Sequence, residues 1–141
     1  MPAGYRVLPH TADLALEAWA PAKHECIAQA VRALVESFAD VRAARPTESL
    51  TLVAEEAADE DLLVAVLNEV IYQLDAHGRL PVDVSVSQPG GGAQSRAEVR
   101  FAAAPVGQAH LVGAVPKAIA LHELRFAPDG GLWRCHVIVD T

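Results

Sequence analysis

Between Lys23 and about Ala39, the residues Ile27, Ala30, Val31, Leu34, Val35 and Phe38 recur every three or four positions. That spacing is one apolar helical face. A second stripe, Leu63, Val66, Leu67, Val70, Ile71 and Leu74, follows the acidic run Asp59-Glu60-Asp61 and stops near His77-Gly78. Acid in a first turn suits the helix dipole, and glycine ends a helix readily. Two one-sided helices must each bury a stripe against another layer, and the rest of the chain reads as strands. Tyr5 to Pro9 is a short first strand, with Pro9 holding Leu8 extended. Leu14, Leu16 and Ala18 alternate with Ala15, Glu17 and Trp19 until Ala20-Pro21 stops the strand and opens the first helix. Leu50 to Glu55 and Val82, Val84 and Val86 predict two more strands. Pro89-Gly90-Gly91-Gly92 predicts a flexible turn, with Ala97, Val99 and Phe101 on the returning strand. Ala104 to Pro116 has no assignable pattern. Lys117 to Phe126 and Leu132 to Asp140 close the chain as a hairpin turning at Pro128-Asp129-Gly130-Gly131. The order predicts one α+β domain over 1–141: two layers, a mostly antiparallel β-sheet with two α-helices packed on one face.

Several function classes are disfavoured. The longest apolar runs fall well short of a membrane span, and no basic-then-apolar leader opens the chain. Cys26 and Cys135 stand far apart without a CxxC spacing, which gives no zinc signature and suits a reducing, cytoplasmic location. A formal charge of −7 argues against tight, independent binding to nucleic acid. Any RNA-related role is expected to act through another protein.

The last hairpin predicts a register. Phe126 opposite Trp133 would pair Leu124 with Cys135, His122 with Val137 and Ala120 with Val139 on one apolar face. Arg134, His136, Ile138 and Asp140 would then share the other face, with Lys117 diagonal to Asp140. Adjacent Cys135 and His136 point oppositely and cannot share a zinc ion. His122 reads as a hydrogen-bonded core residue; His24, His77 and His110 read as surface or loop residues. On the residues alone, Asp13 is a turn cap or a ligand. Asp140 is a solvated strand end or a ligand, and Lys117 a surface charge or part of a site. His10 either orients Asp13 or shapes the turn.

Four segments in order resemble the archease family: Pro9-His10-Thr11-Ala12-Asp13, Leu67-Asn68-Glu69-Val70-Ile71-Tyr72, Lys117-Ala118-Ile119 and Val137-Ile138-Val139-Asp140. The likeness runs the whole length. Archeases are small protein cofactors, not enzymes. Their partner is the GTP-dependent RNA ligase that joins 3′-phosphate or 2′,3′-cyclic phosphate ends to 5′-hydroxyl ends in tRNA splicing and RNA repair. They promote guanylylation of the ligase's catalytic histidine and its repeated turnover. By position, the resemblance makes Asp13 and Asp140 side-chain metal ligands, with an oxygen of Thr141 and with His10 and Lys117 in support. Such oxygen donors suit calcium or magnesium. RNA would be met only through the ligase, and no membrane is implied. The chain departs from the family in two places. Ala120-Leu121-His122 stands where Thr-Tyr-His is frequent, and Gly107-Gln108 lacks an acidic neighbour. A chaperone-like modulator of RNA-modifying enzymes and an independent metal-dependent hydrolase are the alternatives.

Overall fold

The structure, a computed structural model, describes residues 2–10, 13–88 and 95–141. Strands β1 (Gly4–His10) and β2 (Asp13–Ala20) precede helix α1 (Lys23–Glu36) and the short β3 (Ala39–Asp40). Then come β4 (Glu48–Glu56), helix α2 (Asp59–His77), β5 (Arg79–Ser87) and β6 (Ser95–Pro105). A 3-10 turn (Val106–Gln108), β7 (His110–Leu111), β8 (Ala118–Asp129) and β9 (Leu132–Asp140) complete it. The expected glycine turn at 89–92 and the junction residues Thr11 and Ala12 lie outside the described residues.

The fold is α+β and its strand pairings are antiparallel. The strands are divided rather than joined in one sheet. A four-stranded sheet runs β1-β2-β9-β8, a three-stranded sheet runs β4-β6-β5, and β3 pairs with β7. Both helices pack against both larger sheets: α1 on β2 and β5, α2 on β8 and β4. One core joins them, from Leu16, Val137 and Val139 through Ile27, Leu34, Leu63 and Leu67 to Val99 and Phe101. Alternation explains β2: Leu16, Ala18 and Ala20 are buried, while Glu17 and Trp19 are only partly covered.

Helix α1 ends earlier than its stripe suggests. The Ser37 hydroxyl donates to Leu34 O at 2.6 Å, and Phe38 leaves the helix to pack with Ala39 and Leu80 in a second cluster. Helix α2 ends as expected, with Gly78 left-handed at φ 61° and its N–H donating to Leu74 O at 3.0 Å. The segment without a pattern is pinned by long-range contacts. Asp40 pairs with His110, Ala39 with Leu111, and Val112 N–H donates to Phe38 O at 2.9 Å. A Cβ at Gly113 would lie 2.5 Å from Ser37 O, which is backbone. Gly113→Ala is therefore expected to cost about 1–3 kcal/mol, read by chemical denaturation.

Lys23 Nζ lies 3.0 Å from Asp59 Oδ1, and the Ser95 hydroxyl also donates to Asp59. Partial burial pushes the Asp59 pKa up, but the bonds from Ser95 and Lys23 outweigh it and leave the pKa below its ordinary value. The unfolded chain then binds the proton more tightly than the folded one. The contribution is present above the unfolded pKa and is lost as pH falls through the lower folded value. Asp59→Asn is expected to lower stability by about 1 kcal/mol near neutral pH. The difference from the parent should close in acid denaturation series below about pH 4.

Candidate functional site

Antiparallel pairing brings the two ends of the chain's acidic pair to one edge. Asp13 opens β2 and Asp140 closes β9. Leu14 pairs with Val139, Ala15 with Ile138 and Leu16 with Val137, so one further step of the same register sets Asp13 opposite Asp140. Opposed residues of neighbouring strands carry Cβ atoms about 4.5–5.5 Å apart. Leu14 and Val139 belong to the core side, so alternation turns both carboxylates to the outer face. Asp13, Asp140 and Thr141 are all partly exposed. Beside them the outer face is dry: Ala15 is 3% exposed and Ile138 0%. Two carboxylates opposed at a sheet edge are relieved of like-charge repulsion by a cation between them.

Lys117 meets the same edge through its backbone, its N–H donating to Asp140 O at 2.8 Å. Its expected position needs correction. Ala118 pairs with Asp140 and Ile119 with Val139, so the register gives Lys117 the parity of Ile119, not that of Asp140. The side chain is exposed. The roles expected for the His10 side chain lie outside what the structure describes; its backbone pairs with Asp13.

The final hairpin also departs from the expected register, for two physical reasons. Its turn is tighter: Asp129 pairs with Leu132, and only Gly130 and Gly131, at φ 62° and 85°, make the reversal. Further on, β8 bulges. Ala120 pairs with Ile138 and Arg125 with His136, so Leu121 to Leu124 face the single residue Val137. Glu123 takes the left-handed φ of 59° that such a kink requires. Phe126 therefore pairs with Cys135 rather than Trp133. Ile119 takes the core-side position expected for Ala120, and His122 is exposed in the bulge rather than in the core. His24 is less superficial than expected, half-buried with Nε2 2.9 Å from Arg96 O. Cys135 and His136 do point oppositely: Cys135 is buried, and His136 Nδ1 lies 3.0 Å from Glu123 O.

The donor chemistry is narrow. Among the described residues no group of three or more His, Cys, Asp and Glu side chains could hold a metal ion. A cation at this edge would rest on Asp13, Asp140 and main-chain oxygens such as that of Thr141. All are hard donors, which fit calcium or magnesium and not zinc or copper. A thiolate nucleophile is disfavoured. Contact with the Cys26 thiol, then burial, push the Cys135 thiol well above its ordinary range.

The sequence matches the model of the Archease protein family over residues 5–141. The chain belongs to the archease family. A "Probable protein archease" of Mycobacterium tuberculosis is 46% identical over 138 residues, covering 98% of this chain and 75% of that protein. The Archaeoglobus fulgidus "Protein archease" is 28% identical, covering 96% and 98%. Two solved archease-like folds superpose on it. The solution structure of Methanobacterium thermoautotrophicum protein 1598 gives a TM-score of 0.85 at 20% identity, covering 98% of this chain and 99% of that one. The Thermotoga maritima crystal structure, described as an archease and possible chaperone, gives 0.68 at 24%, covering 95% and 94%. Both structures share the fold of this chain. No helix among the described residues is long and apolar enough to cross a membrane.

Proposed function

We propose that this archease-family chain is a protein cofactor of a GTP-dependent RNA ligase that joins 3′-phosphate or 2′,3′-cyclic phosphate ends to 5′-hydroxyl ends. In this reading it promotes guanylylation of the ligase and its repeated turnover, and is not itself an enzyme. The observation that supports the reading is the β2–β9 register, whose last pair, Leu14 with Val139, adjoins both Asp13 and Asp140. Those are the two acidic residues that the family resemblance makes ligands. Asp13, Asp140 and an oxygen of Thr141 would hold a calcium or magnesium ion. Such an ion supplies concentrated positive charge for phosphate oxygens. The chain's own part is to keep the carboxylates fixed at a sheet edge, beside the dry Ala15–Ile138 pair, and to present that edge to the ligase. Lys117 anchors the edge through its bond to the Asp140 carbonyl. A net charge of −7 favours docking on a basic, RNA-binding surface. The test is to add the chain to a purified GTP-dependent RNA ligase with labelled GTP and measure covalent nucleotide on the ligase. Faster labelling and multiple turnovers are expected; a ligase indifferent to the chain contradicts the reading.

One observation favours a second reading, a chaperone-like modulator of RNA-modifying enzymes. Leu111, Val112 and Val115 are 50%, 58% and 43% exposed within one short segment, and apolar patches of this kind serve protein contacts. Suppression of aggregation of an RNA-modifying enzyme, unchanged by a chelator, would favour it over the ligase cofactor.

A further inference from the structure

The outer face of the four-stranded sheet carries a cleft of about 320 Å³ at the end away from Asp13 and Asp140. The strand register builds it. One row across the sheet reads Arg6, Glu17, His136, Arg125; the next reads Gly4, Trp19, Arg134, Ala127. Strand alternation puts both rows on the same face. The chain is acidic overall, yet three of its 11 basic residues line this one cleft. Two carboxylates line it as well, and neither neutralises the cluster. Glu17 is taken up by Arg6, Oε1 to Nε 2.5 Å. Asp129 lies 3.9 Å from Arg134 Nε with its own side chain 75% exposed, a separation that water and salt screen. The Arg125 guanidinium has no carboxylate or hydrogen-bond partner among the described residues. Other arginines of the chain are held by closer acceptors, such as Arg42 by Asp40 at 2.6 Å and Arg32 by the Val84 carbonyl at 3.2 Å. For that reason the larger cleft of about 490 Å³ between α1 and β5, which Arg32 and Arg42 line, offers no comparably free cation.

His136 adds a directed polar group. A carbonyl only accepts, so its Nδ1, 3.0 Å from Glu123 O, carries a proton and leaves Nε2 for another partner. Trp19 adds a flat surface. Its indole lies across Gly4, where a Cβ would come within 2.6 Å of the ring, and the Arg6 guanidinium sits over it at 5.5 Å from the centroid. Arginine forks that match phosphate oxygens, next to an aromatic and guanidinium platform, are the elements that recognise nucleotides.

We propose that this cleft binds a nucleotide, its phosphates on Arg125 and Arg134 with His136 beside them and its base on the Trp19–Arg6 platform. The volume lies at the lower end for small-ligand sites and suits one nucleotide, free or at the end of a single strand. The cleft is separate from the acidic edge. Along β9, Asp140 lies four positions beyond His136, about 13 Å, and the buried Ala15–Ile138 pair lies between. The proposal therefore stands apart from the ligase reading and is tested without metal.

The full chain is titrated in a chelating buffer with adenosine triphosphate, inorganic triphosphate and a short 5′-phosphorylated single strand. Calorimetry and tryptophan emission are both recorded. Trp133 packs against Phe126 on the core side, so Trp19→Phe should remove the ligand-sensitive part of the emission. The nucleotide is expected to quench Trp19 and to bind more tightly than inorganic triphosphate. Arg125→Ala with Arg134→Ala should weaken it at least about tenfold, while Asp140→Asn leaves it unchanged. Tighter binding of the strand assigns the cleft to strand ends, and equal binding to free nucleotide. The proposal is overturned if the double arginine variant binds as the parent does, if inorganic triphosphate equals the nucleotide without quenching, or if no ligand binds at millimolar concentration.

Discussion

If the chain is the ligase cofactor proposed above, Asp13→Ala and Asp140→Ala are each expected to lower its stimulation of an RNA ligase by on the order of a hundredfold, and the two together no more than either alone. Hard cations are held by few, charged oxygen donors, and affinity follows the number of charged ligands. Losing one of two carboxylates leaves a donor set too weak to hold the ion at working concentration. The second substitution then has nothing further to remove, hence the non-additivity. Both side chains are partly exposed at a strand end, so the variants should keep their fold, and an unchanged melting transition is part of the expected result. Asp140→Asn should resemble Asp140→Ala, because the amide keeps the shape and loses the charge. The checks are rates of ligase guanylylation and of RNA joining at fixed metal concentration. Full stimulation by both single variants would remove the acidic edge from the account.

The largest stability effect is expected from Phe126→Ala. Phe126 is 2% exposed and packs on Trp133 with ring centroids 5.2 Å apart at 59°. It is also among the bulkiest of the fully buried side chains. Truncation leaves a cavity and breaks an aromatic pair, together costing about 3–5 kcal/mol. The site lies between the β8 bulge and the tight Gly130-Gly131 turn, so the sheet closes poorly around a void. Urea denaturation should show a lower midpoint with little change in slope. Phe126→Leu, which keeps most of the volume, should cost clearly less. A Phe126→Ala variant within 1 kcal/mol of the parent would mean that the hairpin contributes little to the core.

The helices were readable because their apolar residues keep a strict period: Ile27 to Val35 and Leu63 to Val70 are buried as spaced. Alternation in β2 was readable for the same reason. The β8 register was not, because Ala120-Leu121-His122-Glu123-Leu124 sets two polar residues after two apolar ones and so marks neither face as the core side. Nothing local marks Glu123 for a left-handed backbone, and a bulge with an odd excess of residues exchanges the two faces. The β3–β7 ribbon was also hidden: two residues on each side carry no periodic signal, and the pairing rests on Val112 and Gly113 seating against Phe38 and Ser37. Phe38 fitted the helical stripe yet lies in the turn after α1, where it packs with Ala39 and Leu80 in the second cluster. As for the acidic edge, spacing alone left Asp13 and Asp140 as two unrelated polar ends. Family likeness singled them out, and strand pairing then brought their backbones together.

The most direct measurement is a manganese titration followed by nuclear magnetic resonance, since a paramagnetic ion broadens only the amides near where it binds. Broadening should begin at Asp13, Leu14, Val139, Asp140 and Thr141, be displaced by calcium or magnesium, and disappear in Asp13→Asn and Asp140→Asn. Broadening centred elsewhere, or equally strong in both asparagine variants, would contradict a cation held between these two strand ends.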